Sequence, residues 1–172
     1  MYFFSIRSNF ENMNNDCNFV SEKFEEPNFK CAYSWLKKEY NKHHDIKIEN
    51  KNSFYWMWDH LHKDDIKREK RFNKKYGNNQ YNLIVFNIKN DDINLLLRSD
   101  FEAWHMVLNK WEIDNIKWSD IFDDNALIKK GFKENNSDTI YQYVVPFIKK
   151  EWIVDVIPIN KLTRKKIKKS QN

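Results

Sequence analysis

Between Leu95 and Asn109 the chain reads LLLRSDFEAWHMVLN, which places a guanidinium, a carboxylate and an imidazole close together as Arg98, Asp100 and His105. If the Leu run is a strand, these groups stand at its C-terminal end, where helix amides and a carboxylate can converge at the mouth of a cleft. Arg7, Tyr55, Asp100 and His105 form the candidate catalytic set. An enzyme built on them requires all four in one pocket with a shifted His or carboxylate. A structural reading competes with this one. Ser99-Asp100-Phe101-Glu102 fits a capping box, in which a Ser hydroxyl and a Glu three residues later satisfy helix-end amides. Phe101, Trp104, Val107, Leu108 and Trp111 then recur at three- and four-residue spacing and are expected to face the core. His105 flanks that stripe, where a His commonly bonds locally. The stretch is therefore first a strand-to-helix junction.

Metal chemistry has little support. His60 and His62 could both reach an ion from an extended segment, but two nitrogen ligands alone make a poor zinc site. Cys17 and Cys31 have no second pair to complete a tetrahedron and read as free thiols. No metal and no cofactor is expected.

Binding chemistry is written more plainly. The net charge is +5, and the tail KLTRKKIKKSQN holds six basic residues and no acid, so the rest of the chain is close to neutral. A second basic run, Lys63 to Lys75, is diluted by Asp64, Asp65 and Glu69. Lys67, Arg68, Lys70, Arg71, Lys74 and Lys75, with Arg164, Lys165 and Lys166 of the tail, are the candidate phosphate or acidic-surface contacts. A solvated helix face and a frayed terminus would show the same residues. Trp56 and Trp58 share one face if residues 53–58 form a strand, and an exposed pair there would serve as interface anchors.

The elements that must position these groups read as a mixed α+β order. Tyr2 to Arg7 is a short strand, after which Ser8 or Asn9 can cap a helix through Asn15. Phe29, Ala32, Tyr33, Leu36 and Tyr40 mark an amphipathic helix. Ser53 to Trp58 suits a strand, DDIKREKRF a charged helix, and Gly77 with Asn78 and Asn79 a turn. YNLIVFNI and INLLL read as strands joined by KNDD as a hairpin loop, with two closing strands at Thr139 to Ile148 and Trp152 to Ile159. The expectation is a single compact α+β domain over 1–160, mainly an antiparallel sheet flanked by helices, with a basic C-terminal tail at 161–172.

Composition excludes some functions. Only 2 Gly in 172 residues leave no room for a phosphate-cradling loop, so no Walker-type or dinucleotide-binding motif can be written onto the chain. The opening MYFFSIRSNF lacks a basic n-region and a long apolar run, and no segment is apolar for long enough to span a bilayer. A cytoplasmic, non-membrane protein is expected.

The order of motifs resembles a bacterial family, domain of unknown function 3841. MYFFSIR, AYSWLKKEYNK, FYWMW, LLLRSDFEAWHMVLNKW, WSDIFD and YQYVVPFIKKEWIVDV carry the resemblance in sequence order, and Ser99, Asp100, Phe101, Trp104, His105, Leu108 and Asn109 form its most specific part. Arg7 stands where that family usually has Gln, and FYWMW replaces a Pro-containing version. The layout also looks loosely like compact ADP-ribosyltransferase folds, which place an Arg or His on an early strand and a Glu on a late one. Arg7 fits the first role; the late strand offers Gln142, which cannot act as a carboxylate.

The function expected from these readings is that of a non-enzymatic binding or inhibitor protein docking on a bacterial protein or nucleoprotein. A phage-borne, anti-CRISPR-like anti-defence factor is one form of it, in keeping with a Lys-, Asn- and Ile-rich composition that suggests an AT-rich genome. The alternatives are an ADP-ribosyltransferase-like enzyme with a cleft near Asp100 and His105, and direct RNA or DNA binding through the basic stretches.

Overall fold

A computed structural model of the chain describes residues 1–8, 17–19, 27–45, 47–49, 52–61, 63–76, 81–135 and 139–162. The described strands are β1 (Tyr2–Ser8), β2 (Cys17–Phe19), β3 (Tyr55–Trp58), β4 (Tyr81–Asn87), β5 (Leu97–Asp100), β6 (Tyr141–Val145), β7 (Phe147–Lys149) and β8 (Ile153–Pro158). The helices are α1 (Lys30–His43), α2 (Lys63–Tyr76), α3 (Asn90–Ile93), α4 (Phe101–Leu108) and α5 (Asp124–Lys129). The fold is α+β: a six-stranded sheet in the order β5-β6-β3-β1-β4-β8 with flanking helices, and a two-stranded ladder of β2 with β7. Its described registers are antiparallel. The first helix expected over 9–15, the turn at Gly77, His62 and the tail residues Arg164, Lys165 and Lys166 lie outside the described residues.

The span expected as one domain comprises two compact units, each assembled from separated stretches: residues 1–18, 56–94 and 148–172 in the first, and 19–55 and 95–147 in the second. In the first, β1 and β4 pair along their whole length, from Tyr2 opposite Asn87 to Ser8 opposite Tyr81. Alternation then places Phe4, Leu83, Val85 and Ile157 on one face of the sheet, where they form a core with Ile66 of α2, Ile159 and Leu162. Ile84 and Phe86, with no exposed surface, fill the opposite face of β4. β8 is the outer strand and carries a bulge: Val85 faces Asp155 but Phe86 faces Ile153, which leaves Val154 as the extra residue and half exposed at 51%.

The second unit is built on α1, α4 and the β5-β6 ladder. Ala32, Leu36 and Tyr40, spaced by four, are the buried stripe of α1, and the Tyr40 hydroxyl donates to the Leu95 carbonyl at 2.6 Å. Helix α4 buries Ala103, Trp104, Met106 and Val107. It ends in a Schellman arrangement: the amide of Trp111 donates to Met106 and that of Lys110 to Val107, with Lys110 in the left-handed region at φ 56°. That reversal overturns the expectation for Trp111. The residue does not continue the core stripe; it stands 57% exposed beyond the helix end.

One further expectation is corrected. KNDD is no hairpin loop: residues 90–93 form α3, and β4 pairs with β1 and β8, not with the strand that follows it. Of the closing strands, β6 pairs with β5 and β8 with β4. Hydrophobic alternation identifies strands but holds no information on which strands become neighbours.

Candidate functional site

The Asp100 region sits where β5 passes into α4. Asp100 is 3% exposed and is itself the helix cap, its Oδ1 accepting from the Ala103 amide at 2.9 Å. The capping box expected from Ser99 and Glu102 is therefore replaced by a single Asp100 cap, one residue later. Ser99 instead faces inward on β5, where its hydroxyl accepts from the Gln142 side chain at 3.2 Å, the two residues lying directly opposite each other in the ladder. Ser99 and Asp100 are both in the β5 register and alternate across the strand, so the Ser99 hydroxyl meets Gln142 while the Asp100 carboxylate, one residue nearer the helix, meets its amides.

The second oxygen of Asp100 takes a salt bridge from Lys133 at 3.3 Å. Lys133, its side chain only 9% exposed, also donates to Asp124 Oδ1 and reaches Thr139 Oγ1 at 3.4 Å. Asp124 Oδ2 in turn accepts from the Tyr141 hydroxyl at 2.7 Å and from Arg98 at 3.0 Å, and the Arg98 guanidinium lies 4.4 Å over the Tyr141 ring. Two carboxylates thus face two cations around one phenol. Burial alone would push the Asp124 carboxyl upward, but the hydrogen bonds from Lys133 and Tyr141 and the charges of Arg98 and Lys133 outweigh it and hold the pKa below the usual value. For Lys133 burial works downward and is outweighed by its bonds to Asp124 and Asp100, so its pKa is raised. Tyr141 is raised by burial and by its bond to Asp124. These shifts all favour the ion pairs that already exist. The arrangement joins β5, β6, α5 and the segment after it by charge-assisted bonds.

His105 takes no part in that cluster. Its Nδ1 lies 2.9 Å from the Phe101 carbonyl one turn back, and its ring meets Phe101 edge-on at 4.5 Å between centroids. Tyr55 is buried at 3% on β3. Arg7 belongs to the first unit, on β1 opposite Asn82. Lys133, Asp124 and Tyr141 were not singled out by sequence reasoning. They are 33, 24 and 41 positions from Asp100, and no periodicity links residues contributed by a loop, a short helix and a neighbouring strand.

The second candidate surface is α2. Ile66 and Lys70 mark its inner side: Ile66 enters the core of the first unit, and the Lys70 ammonium donates to the Leu162 carbonyl at 2.7 Å. Lys67, Arg68, Arg71, Lys74 and Lys75 are exposed. At 3.6 residues per turn these five cover an arc of roughly 120°, turned away from Ile66. Lys67 pairs with Asp64 at 2.8 Å and Arg68 with Glu69 at 3.5 Å, both in solvent, where such pairs contribute little and exchange readily. Lys70 is a tether and its neighbours are the solvent-facing cations.

On β3, Tyr55 and Met57 are buried and Trp56 and Trp58 partly exposed, in strict alternation. Cys31 is a free, exposed thiol. Among the described residues no group of three or more His, Cys, Asp or Glu could hold a metal ion, and no helix is long and apolar enough to cross a membrane. No family model, curated protein or solved structure matches the chain. The surfaces themselves must carry the functional reading.

Proposed function

We propose that this chain is a non-enzymatic binding protein that docks on a bacterial nucleoprotein, with the outer side of α2 as its anion-facing surface. The observation that carries the proposal is the stripe of Lys67, Arg68, Arg71, Lys74 and Lys75, all exposed on one side of a helix whose other side is fixed to the sheet. A row of exposed cations attracts phosphates at long range and releases their counterions on contact. An inhibitor borne by a phage or another mobile element and directed at an RNA-guided nuclease of the host is one form of this reading, and it places the protein in the cytoplasm. The transferase-like alternative needs a carboxylate on the late strand; β6 has Gln142 there, buried at 1% and bonded to Ser99.

The test compares the intact protein with a Lys67→Glu, Arg71→Glu, Lys74→Glu variant as bait in a bacterial lysate, with and without nuclease. The expected result is a complex of defined protein and nucleic acid that the native bait retains and the variant loses. Retention of the same complex by the variant would remove the basis for the proposal.

A further inference from the structure

The sheet register places the two Trp side chains of β3 on the same face as α2. Phe4 of β1 lies directly opposite Trp58, and residues opposite each other in an antiparallel ladder point to the same side. Phe4 belongs to the core that Ile66 of α2 closes, so Trp58 stands on the helix-bearing face, and Trp56, two residues earlier, shares it. Both are partly exposed, while Tyr55 and Met57 on the opposite face are buried at 3% and 0%. Leu61, between this strand and α2 in sequence, packs against the same core. One face of the first unit therefore combines two indole rings with a row of exposed cations.

We infer that this face binds single-stranded nucleic acid, with bases stacking on Trp56 and Trp58 while the backbone phosphates run along Lys67, Arg71, Lys74 and Lys75. The inference rests on the nucleoprotein reading above and names the ligand of the same surface. Neither half of the surface is specific by itself. A basic helix attracts any polyanion, and a pair of half-buried Trp residues can be packing. Their placement on one face is what selects a ligand that has both phosphates and accessible ring faces. Duplex DNA or RNA hides its ring faces in the stack, and an acidic protein surface has no flat rings at regular spacing, so a single strand matches both halves. The spacing agrees with this. Two residues of a strand advance about 6.7 Å, roughly twice the ~3.4 Å rise per nucleotide of a stacked strand, which is the separation at which one base fits between two rings. The ligand chemistry is common to RNA and DNA, and the experiment separates them.

The intact protein is titrated with fluorescently labelled RNA and DNA single strands of about 12 nucleotides, within the usual range for such sites, and with the duplex of the same sequence. The expected result is preference for a single strand, quenching of indole emission on binding, and a loss of affinity of about 10- to 100-fold for Trp56→Ala or Trp58→Ala. Duplex binding, which uses only the cations, should change little in those variants. Trp56→Phe and Trp58→Phe keep a stackable ring and should recover most of the affinity, which separates lost stacking from a damaged fold. Equal binding of duplex and single strand, abolished by the α2 charge reversal but unaffected by the Trp changes, would overturn the stacking inference and leave the basic-face reading standing. Absence of binding to every one of these nucleic acids would overturn both.

Discussion

Lys133 reaches the carboxylate of Asp100 from 33 residues away, at 3.3 Å, and the two side chains are only 9% and 5% exposed. The charge of Asp100 is thereby compensated, and the same carboxylate caps the first turn of α4. Removing one partner of a buried pair leaves the other charge without compensation. Lys133→Met is expected to lower unfolding stability by about 3 kcal/mol, read by chemical denaturation. A double-mutant cycle with Asp124→Asn should show coupling, because the two share the same bonds. Additive effects would mean the ion cluster is not a unit.

Cap and imidazole should behave differently. Asp100→Ala is expected to cost about 2 kcal/mol, the loss of an N-cap together with an ion-pair partner. Asp100→Asn, which keeps an acceptor for the Ala103 amide, should retain part of that. His105→Ala should cost less than about 1 kcal/mol, since its ring serves a local bond and an edge contact with Phe101. The order of the three unfolding midpoints decides this.

Stability should fall in acid. Asp124, Asp120 and Asp92 each have a folded-state pKa below the unfolded value: burial raises it, but bonds and charges from Lys133, Tyr141 and Arg98, from Lys130 and Lys117, and from Lys149, Trp152 and Lys89 respectively prevail. A depressed acid stabilises the fold above its unfolded pKa of about 3.9, and that contribution disappears as pH falls through the lower folded value. Lys133 has the opposite sign: its contribution is complete below about 10.4 and disappears as pH rises through its raised folded value. Denaturant midpoints measured from acid to alkaline pH should show a plateau with loss at both ends, and Asp124→Asn should flatten the acid limb.

Among the described residues, α4 and α5 both end at a left-handed residue, and glycine is favoured at each end. Lys110 adopts φ 56° with a side chain that disfavours it, so Lys110→Gly should stabilise the protein by about 1 kcal/mol, provided the native bonds of the Trp111 and Lys110 amides persist. Gly131 holds φ 74° at the end of α5, and a Cβ there would meet no atom within 4 Å. Gly131→Ala should therefore cost about 1 kcal/mol from backbone strain alone. Thermal melts of both variants test the assignment.

Binding through α2 should weaken with salt. Five neutralised phosphates correspond to roughly a hundredfold loss of affinity between about 50 and about 200 mM monovalent salt. Each removed cation among Lys67, Arg71, Lys74 and Lys75 should reduce the slope of log affinity against log salt by about 0.7 to 0.9. Lys70→Gln should instead act on stability, because its ammonium is committed to the Leu162 carbonyl. Anisotropy titrations at several salt concentrations measure the slopes, and denaturant unfolding measures the Lys70 effect.

The amino-acid sequence by itself determined the α+β class, the amphipathic stripe of α1, the strands β1, β3 and β4, and the basic character of α2, because these depend on local composition and periodicity and on which side chains water rejects. The position of the strand-to-helix junction at Asp100 was legible as well, to within the one residue that separates Ser99 from the actual cap. Tertiary structure alone decided which strands are neighbours, so that β4 joined β1 and β8 and the apparent hairpin did not form. It also turned Trp111 outward, through a helix end set by the backbone of Lys110 and not by the hydrophobic repeat. Above all it decided which charges meet: Asp100 met Lys133 and not His105, and Lys70 met the Leu162 carbonyl while its neighbours stayed in solvent. Coulombic and hydrogen-bonding partners are selected by distance in three dimensions, and sequence separation carries no signal for them once the chain has closed on itself.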